Sequence, residues 1–363
     1  MSGIKAASGS TTRASSGIPI VDLSRTREET EIVSELLEAF TTIGFCTLVH
    51  HGIPKDLFPK AFQASRNFFE LPIEAKLKYK YKTPSSNRGY IPYGAECHDK
   101  DGEGNPLVTI TTTTNGASTT APDQKETMDI GHDDAEDVFK NEWPQELTPR
   151  DFRYVLETYF EEMDTLHLRL MKYIGRGLEL PDDGDSLVRK CNGKHENLRL
   201  LHYPSMTRTI GGVEEDGTTR GNAHTDFGTL TLLVQDTVGG LKVKRKDGTW
   251  IDVQPVEDSI IVNVGDMLMR WSNDRLKATL HKVESPELTT NATTTYVISE
   301  TTEASMEKTI VPERYSIAFF CNANKNVEIE CLETCRSPAE PARYPPINAH
   351  EYLTQRLAAT IQT

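Results

Sequence analysis

The chain has 363 residues, 37% of them hydrophobic, which is enough apolar material for a sizeable core. Its 54 acidic residues outnumber the 40 basic ones, and a net charge of −14 argues against the basic surface that a nucleic-acid or anionic-membrane partner needs. No apolar run reaches the ~18 residues of a membrane span. Residues 1–17 are rich in Ser, Thr and Gly and lack the apolar core of a signal peptide, so the expectation is a cytoplasmic protein with a disordered tail. The 6 cysteines are scattered and are expected as free thiols.

Residues 18–23 (IPIVDL) read as a short strand. Over 28–43, Ile32, Leu36, Leu37, Phe40 and Ile43 recur at helical spacing, and Gly44 supplies the left-handed residue that ends such a helix. Residues 45–49 (FCTLV) form an apolar strand, followed by a turn at 51–54. Further amphipathic helices are predicted over 62–69 and 151–175, the second carrying Val155, Leu156, Phe160, Met163, Leu166, Leu170 and Ile174. The stretches 98–126 and 285–313 have the composition of loops, with TTTTNGASTTAP in one and TTNATTT in the other. From Leu198 onward, short β-branched runs at 230–234, 241–243, 251–253, 260–264, 279–283 and 315–320 alternate with turn signals. Gly239-Gly240 and Asp247-Gly248 read as hairpin turns. The pattern predicts an α+β chain with a mainly β core, a barrel or jelly roll surrounded by helices. The expected organisation is a tail (1–17), a helical and strand region (18–150) and a jelly-roll domain (151–363) whose core covers 195–325.

His224 and Asp226, in GNAHTDFGTLTLLVQD, stand at i and i+2, and such positions on a strand point to one face. His281, at the start of a later strand (ATLHKV), adds a second imidazole. Two imidazoles and one carboxylate on one side of a metal leave other positions open, which is the donor set of a non-haem Fe(II) oxygenase. The His-x-Asp pair is a weak signal alone. A third element strengthens it: Arg314, Ser316, Ala318 and Phe320 alternate to one face of the last strong strand. Arg314 can grip a carboxylate through two parallel hydrogen bonds while Ser316 adds a hydroxyl. A dicarboxylate could then reach the metal at one end and Arg314 at the other. His50 and His51 beside their turn, and His132 in an acidic segment, read as structural or solvated. His202 neighbours Tyr203 and is expected to face away from it.

HTDFGTLTLLVQD, NVGDMLMRWSNDRLKATLHKV and RYSIAFFCNAN resemble the iron- and 2-oxoglutarate-dependent dioxygenases of the isopenicillin N synthase-like superfamily. IPIVDL, GFCTLVHHGIP and FFELPIEAK resemble that family's N-terminal region. NRGYIPYGAE, LRLLHYP, RWSNDRLKATLH and YLTQRLAAT are most similar to the subgroup that contains fungal thymine 7-hydroxylase and related enzymes of secondary metabolism. The resemblance implies a double-stranded β-helix core with His224, Asp226 and His281 on Fe(II). It implies Arg314 and Ser316, with Tyr203, on the far carboxylate of 2-oxoglutarate. The implied reaction uses O2, oxidises (most often hydroxylates) a small organic substrate and releases succinate and CO2. Asn87 and Arg199 match positions that contact substrate in that subgroup, and the faces of Phe227 and Phe320 beside the metal suit a flat ring. Three features depart from the pattern. Leu201 stands where plant members usually place Asn, Phe227 where tyrosine is also found, and the 285–313 stretch is a long insertion, read as a lid or interaction surface. A pyrimidine-base hydroxylase, or an iron oxidase of the isopenicillin N synthase type that uses no 2-oxoglutarate, stays open beside the secondary-metabolism reading. No macromolecular partner is indicated, and oligomeric state is not legible.

Overall fold

The computed structural model describes residues 17–97, 111–114, 117–120, 122–133, 139–209, 219–285, 294–295 and 308–360. Residues 1–16 of the expected tail (1–17) and most of the two Thr-rich stretches lie outside the described residues.

Two sheets make the core. The larger has eight strands in the order Ile20–Asp22, Phe45–Val49, Ile260–Val264, Leu230–Gln235, Arg314–Phe320, Asn197–Tyr203, Glu126–Ile130 and Gly89–Ile91. Its first pair is parallel and the others antiparallel. The smaller sheet has four strands, Trp250–Asp252, Leu241–Lys244, His281–Glu284 and Thr219–His224. Leu241, Val243 and Val283 of the smaller sheet pack with Leu201, Tyr203, Ile261 and Ala318 of the larger one, so the sheets close on a common lumen. This is the jelly roll of the α+β expectation.

The larger sheet is buried on both faces, which explains its near-continuous apolar runs. Leu198, Leu200, Leu232, Val262, Ile317 and Phe319 turn outward into a separate cluster with the helices Glu29–Thr42, Leu57–Phe69 and Arg153–Gly177. Phe319 meets Phe160 of the long helix edge-on, with centroids 4.9 Å apart. The inward positions alternate with these. Arg314 lies opposite Tyr203, Ser316 opposite Leu201 and Gln235, and Phe320 opposite Asn197 and Thr231. Gly44, at φ +74°, ends the first helix as expected, and a Cβ there would strike the Lys277 carbonyl. All six cysteines are buried and free.

The structure corrects several expectations. The second helix starts at Leu57, because Leu57, Phe58 and Ala61 already bury the apolar face. Gly239-Gly240 is not a hairpin: the strands before and after it belong to different sheets, and the two glycines, at φ +80° and +89°, turn the chain from one to the other. Asp247-Gly248 does join paired strands. Within 98–126, Thr111–Thr114 pairs with Ala117–Thr120, and Asp123, Lys125 and Glu126 are buried. Glu126 opens a strand of the larger sheet. Within 285–313, Thr294–Thr295 pairs with Lys308–Val311. The strand Gly89–Ile91 and the helices Asp185–Cys191, Asp266–Trp271 and Ala349–Thr360 had no forecast. Among the described residues, no helix is long and apolar enough to cross a membrane.

Candidate active site

His224 closes the strand Thr219–His224 and pairs directly with His281, the first residue of its neighbour. Asp226 is not on that strand, as the i, i+2 reading assumed. It lies just past the strand's end, in the crossover that carries the chain into the larger sheet. Gly228 makes the crossover possible, since a Cβ there would strike the Cys321 carbonyl. The three residues still converge. Asp226 Oδ1 stands 3.7 Å from His224 Nε2 and 3.7 Å from His281 Nε2. That is too long for a hydrogen bond and suits an ion between the groups.

Backbone carbonyls fix the imidazoles. His224 Nδ1 donates to the Asn222 carbonyl at 2.7 Å, and His281 Nδ1 to the Thr279 carbonyl at 3.1 Å. With the proton on Nδ1, Nε2 carries the lone pair and faces the carboxylate in both rings. The carboxylate is fixed as well. Thr231 Oγ1 and Asn263 Nδ2 both donate to Oδ2, at 2.6 and 2.7 Å, which turns Oδ1 toward the histidines. Burial by itself would raise the Asp226 carboxyl. The imidazoles of His281 and His224 and the two hydrogen bonds outweigh it and hold the group below its usual value. Two imidazole nitrogens and an ionised carboxylate fit Fe(II), and the donors were oriented before any metal enters.

Arg314 is fully buried in the lumen. Its Nε donates to the Gly239 carbonyl at 2.8 Å, one Nη to Ser316 Oγ at 3.0 Å and the other to Gln235 Oε1 at 3.2 Å. The guanidinium lies 4.9 Å above the Tyr203 ring. Arg314, Ser316 and Tyr203 are therefore assembled in one place, with the cation and hydroxyl that a carboxylate would need.

A cavity opens above the triad. His224, Asp226, Asn87, Arg199, Tyr203, Phe227 and Phe320 all border it, with Leu353 and Leu357 of the C-terminal helix. Each predicted substrate residue is thus at the cavity, but Arg199 is engaged elsewhere. Its guanidinium forms a bidentate pair with Asp129, at 2.6 and 2.7 Å, and a third bond to Glu96 at 2.8 Å. Glu96 also pairs with Lys125 at 2.9 Å. A larger groove lined by Glu35, Glu38, Lys244, Arg245 and Lys277 contains none of the predicted residues. His50 is exposed beside Asp22, and His51 is buried with Nε2 near the Asp258 carbonyl. His132 sits between Phe160 and Glu161. His202 turns away from the lumen to stack on Tyr315 and bond Glu126.

Sequence reasoning missed Thr231, Gln235 and Asn263, and it missed the charge network of Glu96, Lys125 and Asp129. The first three left a trace: each is a polar residue at a lumen-facing position of an otherwise apolar strand. The network left little trace, because its members read as ordinary solvated charges.

Known proteins resemble the chain in sequence and in fold. Residues 18–146 match the model of the non-haem dioxygenase in morphine synthesis N-terminal region, and residues 194–323 match that of the 2OG-Fe(II) oxygenase superfamily. The 2-oxoglutarate-dependent dioxygenase ecdK of Aspergillus rugulosus is 34% identical, over 87% of this chain and 90% of its own. The proline hydroxylase buaE of Petromyces alliaceus is 32% identical, over 90% of this chain and 93% of its own. The full-length thymine 7-hydroxylase of Neurospora crassa, solved with alpha-ketoglutarate (2-oxoglutarate) and thymine, superposes with a TM-score of 0.78 at 32% identity, covering 95% of this chain and 98% of that one. The chain belongs to the 2OG-Fe(II) oxygenase superfamily and is a 2-oxoglutarate-dependent dioxygenase, using Fe(II), 2-oxoglutarate and O2 to oxidise a small molecule.

Proposed function

We propose that His224, Asp226 and His281 hold the Fe(II), that Arg314, Ser316 and Tyr203 take the far carboxylate of 2-oxoglutarate, and that a small cyclic substrate bearing N–H or O–H groups is hydroxylated in the cavity above them. The observation that carries this reading is the shared cavity: the preset donor set opens onto the space that also holds Phe227, Phe320 and Asn87.

Bound Fe(II) with its cosubstrate supplies the oxidising power, as 2-oxoglutarate and O2 give succinate and CO2 while a substrate C–H bond becomes C–OH. The rest is the chain's own work. Arg314 and Ser316 offer charge-assisted hydrogen bonds to an anion inside a dry lumen, where they are stronger than in water. Phe227 and Phe320 give apolar faces for a ring. The polar end is rich in acceptors. Asn197 and Asn322 donate their amide nitrogens to the carbonyls of Asn87 and His195, at 2.7 and 3.0 Å, which assigns the remaining atom of each amide as oxygen. The side-chain oxygens of Asn87, Asn197 and Asn322 are buried without hydrogen-bond partners, and all three residues line the cavity. Each such oxygen costs about 1–3 kcal/mol until a donor meets it. Arg199, tied to Asp129 and Glu96, serves as a fixed wall and not as a free cation for a substrate anion.

Two relatives support a small ring. The Neurospora enzyme was solved with thymine and with 5-formyluracil, and the Petromyces enzyme is a proline hydroxylase. Phe227 and the long insertions favour secondary metabolism over a nucleobase. The net charge of −14 speaks against a nucleic-acid or anionic-membrane partner.

The test is anaerobic. Fe(II) and then 2-oxoglutarate are added to the protein, and the visible metal-to-ketoacid charge-transfer band is recorded. The band should form in the wild type, weaken in Arg314→Ala and be absent in Asp226→Ala. A band unaffected by Arg314→Ala would remove the cosubstrate assignment, and a normal band in Asp226→Ala would remove the triad. Ring compounds bearing N–H groups should then perturb the band, and the perturbation should shrink in Asn322→Leu.

A further inference from the structure

The long helix Arg153–Gly177 turns an apolar stripe toward the larger sheet, yet Asp164 and His167, one helical turn apart, stand on that stripe and are buried. Glu196, immediately before the strand Asn197–Tyr203, is buried with them. One donor atom from each residue can be chosen so that all three lie within 4.8 Å of one another. None of the three belongs to the site described above.

Thr229 sets the orientation of the imidazole. Its hydroxyl donates to the Cys321 carbonyl at 3.2 Å, so it accepts from His167 Nε2, also at 3.2 Å. With the proton on Nε2, a neutral ring carries its lone pair on Nδ1. That atom faces Glu196 Oε1 at 3.2 Å, and both side chains are 0% exposed. Neither atom has a hydrogen-bond partner, and neither do Glu196 Oε2 and Asp164 Oδ1. Lone pairs converging in a dry core repel unless a cation stands between them. An imidazole anchored through its other nitrogen is the arrangement that orients a metal-binding histidine. Carboxylate and imidazole at i and i+3 of a helix, joined by a carboxylate from another element, is metal-ligand spacing. Two carboxylates and a neutral imidazole around a divalent ion sum to zero charge. Burial holds the thiols of Cys191 and Cys321, which lie near this cluster, well above their usual value, so the site offers nitrogen and oxygen and not thiolate.

We propose that Asp164, His167 and Glu196 form a second metal site, separate from the catalytic triad, that binds a divalent transition ion such as Zn(II), Mn(II) or Fe(II) between the long helix and the sheet. The mixed nitrogen and oxygen donor set suits these ions. The site is closed, so the ion enters during folding and its role is structural. The competing occupant is protons alone, and burial, with Glu196 nearby, pushes the Asp164 carboxyl up to about 6.

The test separates the two metals. A His224→Ala, Asp226→Ala chain is produced in medium supplied with Zn(II), Mn(II) and Fe(II), cleared of loose ions with a chelator and analysed for metal content. The expected result is about one ion per chain, lost when His167→Gln is added. A folded triad-depleted chain with no stoichiometric metal overturns the proposal. Should His167→Gln fail to fold, anomalous diffraction from wild-type crystals decides the question. A peak enclosed by His167, Asp164 and Glu196 supports the site, and protein density without one overturns it.

Discussion

Asp226 owes its direction to two residues that face it from the larger sheet. Thr231 and Asn263 both occupy Oδ2, which leaves Oδ1 for the histidines. Replacing Asn263 with leucine removes one of these bonds and lets the carboxylate rotate. Fe(II) or Co(II) affinity should fall by about 10–100-fold with the fold intact, as a binding titration would record. Unchanged affinity would show that Thr231 alone holds the group. A second case is Glu126, which accepts from His202 at 2.8 Å, Lys76 at 2.7 Å and Tyr90 at 2.5 Å. Burial would raise this carboxyl, but hydrogen bonds from His202, Lys76 and Tyr90 outweigh it and hold the group below its usual value. A lowered folded value means that the unfolded chain takes up the proton first. Glu126 therefore contributes stability above the usual carboxylate value, and that contribution is lost as pH falls through the lower folded one. Glu126→Gln should cost roughly 1–3 kcal/mol at neutral pH and flatten the acid side of a stability-versus-pH curve from chemical denaturation. An acid limb as steep as that of the wild type would assign the pH response to other carboxylates.

Elements differ in how far their residues announce them. The strands Phe45–Val49 and Ile260–Val264 were legible to the residue, because each is a short apolar run, β-branched or aromatic in content and flanked by a glycine, which marks a doubly buried strand. The strand Glu126–Ile130 was hidden. Glu126 and Asp129 reach the interior through partners distant in sequence, and ETMDI gives no sign of them. His224, His281 and the Arg314 strand were legible because the chemistry proposed for them demands particular residue types at particular spacings. The supporting acids and amides were not, since an Asn or Glu becomes a site residue only through what surrounds it. The C-terminal helix Ala349–Thr360 belongs with the hidden elements. It sets Leu353, Leu357 and Thr360 against the cavity, lays Arg356 4.6 Å over the Phe227 ring and offers the Thr360 carbonyl to Cys97. It bears none of the residues proposed for metal or cosubstrate, and its expected role is to close the substrate end of the cavity. Truncation before Ala349 should weaken substrate binding by at least ~10-fold, since the buried Leu357 and half-buried Leu353 contribute a few kcal/mol. The anaerobic iron–2-oxoglutarate band should survive. Loss of that band together with substrate binding would mean that the helix supports the whole lumen.

At the scale of the molecule, the site is a joint between the two sheets. His224 and His281 come from the smaller sheet, Arg314 and Ser316 from the larger, and Asp226 from the crossover between them. A lumen cluster otherwise joins the sheets: Leu241, Val243, Val253 and Val283 meet Phe45, Leu201, Tyr203, Ile261 and Ala318. The helices Glu29–Thr42, Leu57–Phe69 and Arg153–Gly177 pack on the outer face of the larger sheet. The smaller sheet thus depends on that apolar seam and on whatever bridges the donor set. A metal with its dicarboxylate binds the folded chain and not the unfolded one, so it stabilises by RT ln(1 + [L]/Kd), about 2.7 kcal/mol at a hundredfold excess over Kd. Under argon, Fe(II) should raise the melting temperature, and 2-oxoglutarate should raise it by several degrees more. If the dicarboxylate is held by both Arg314 and the metal, as proposed, the second increment should vanish in Asp226→Ala and shrink in Arg314→Ala. Differential scanning calorimetry reads both increments. Were 2-oxoglutarate to stabilise Asp226→Ala as much as the wild type, it would be held by the larger sheet alone, and the two sheets would not share a ligand.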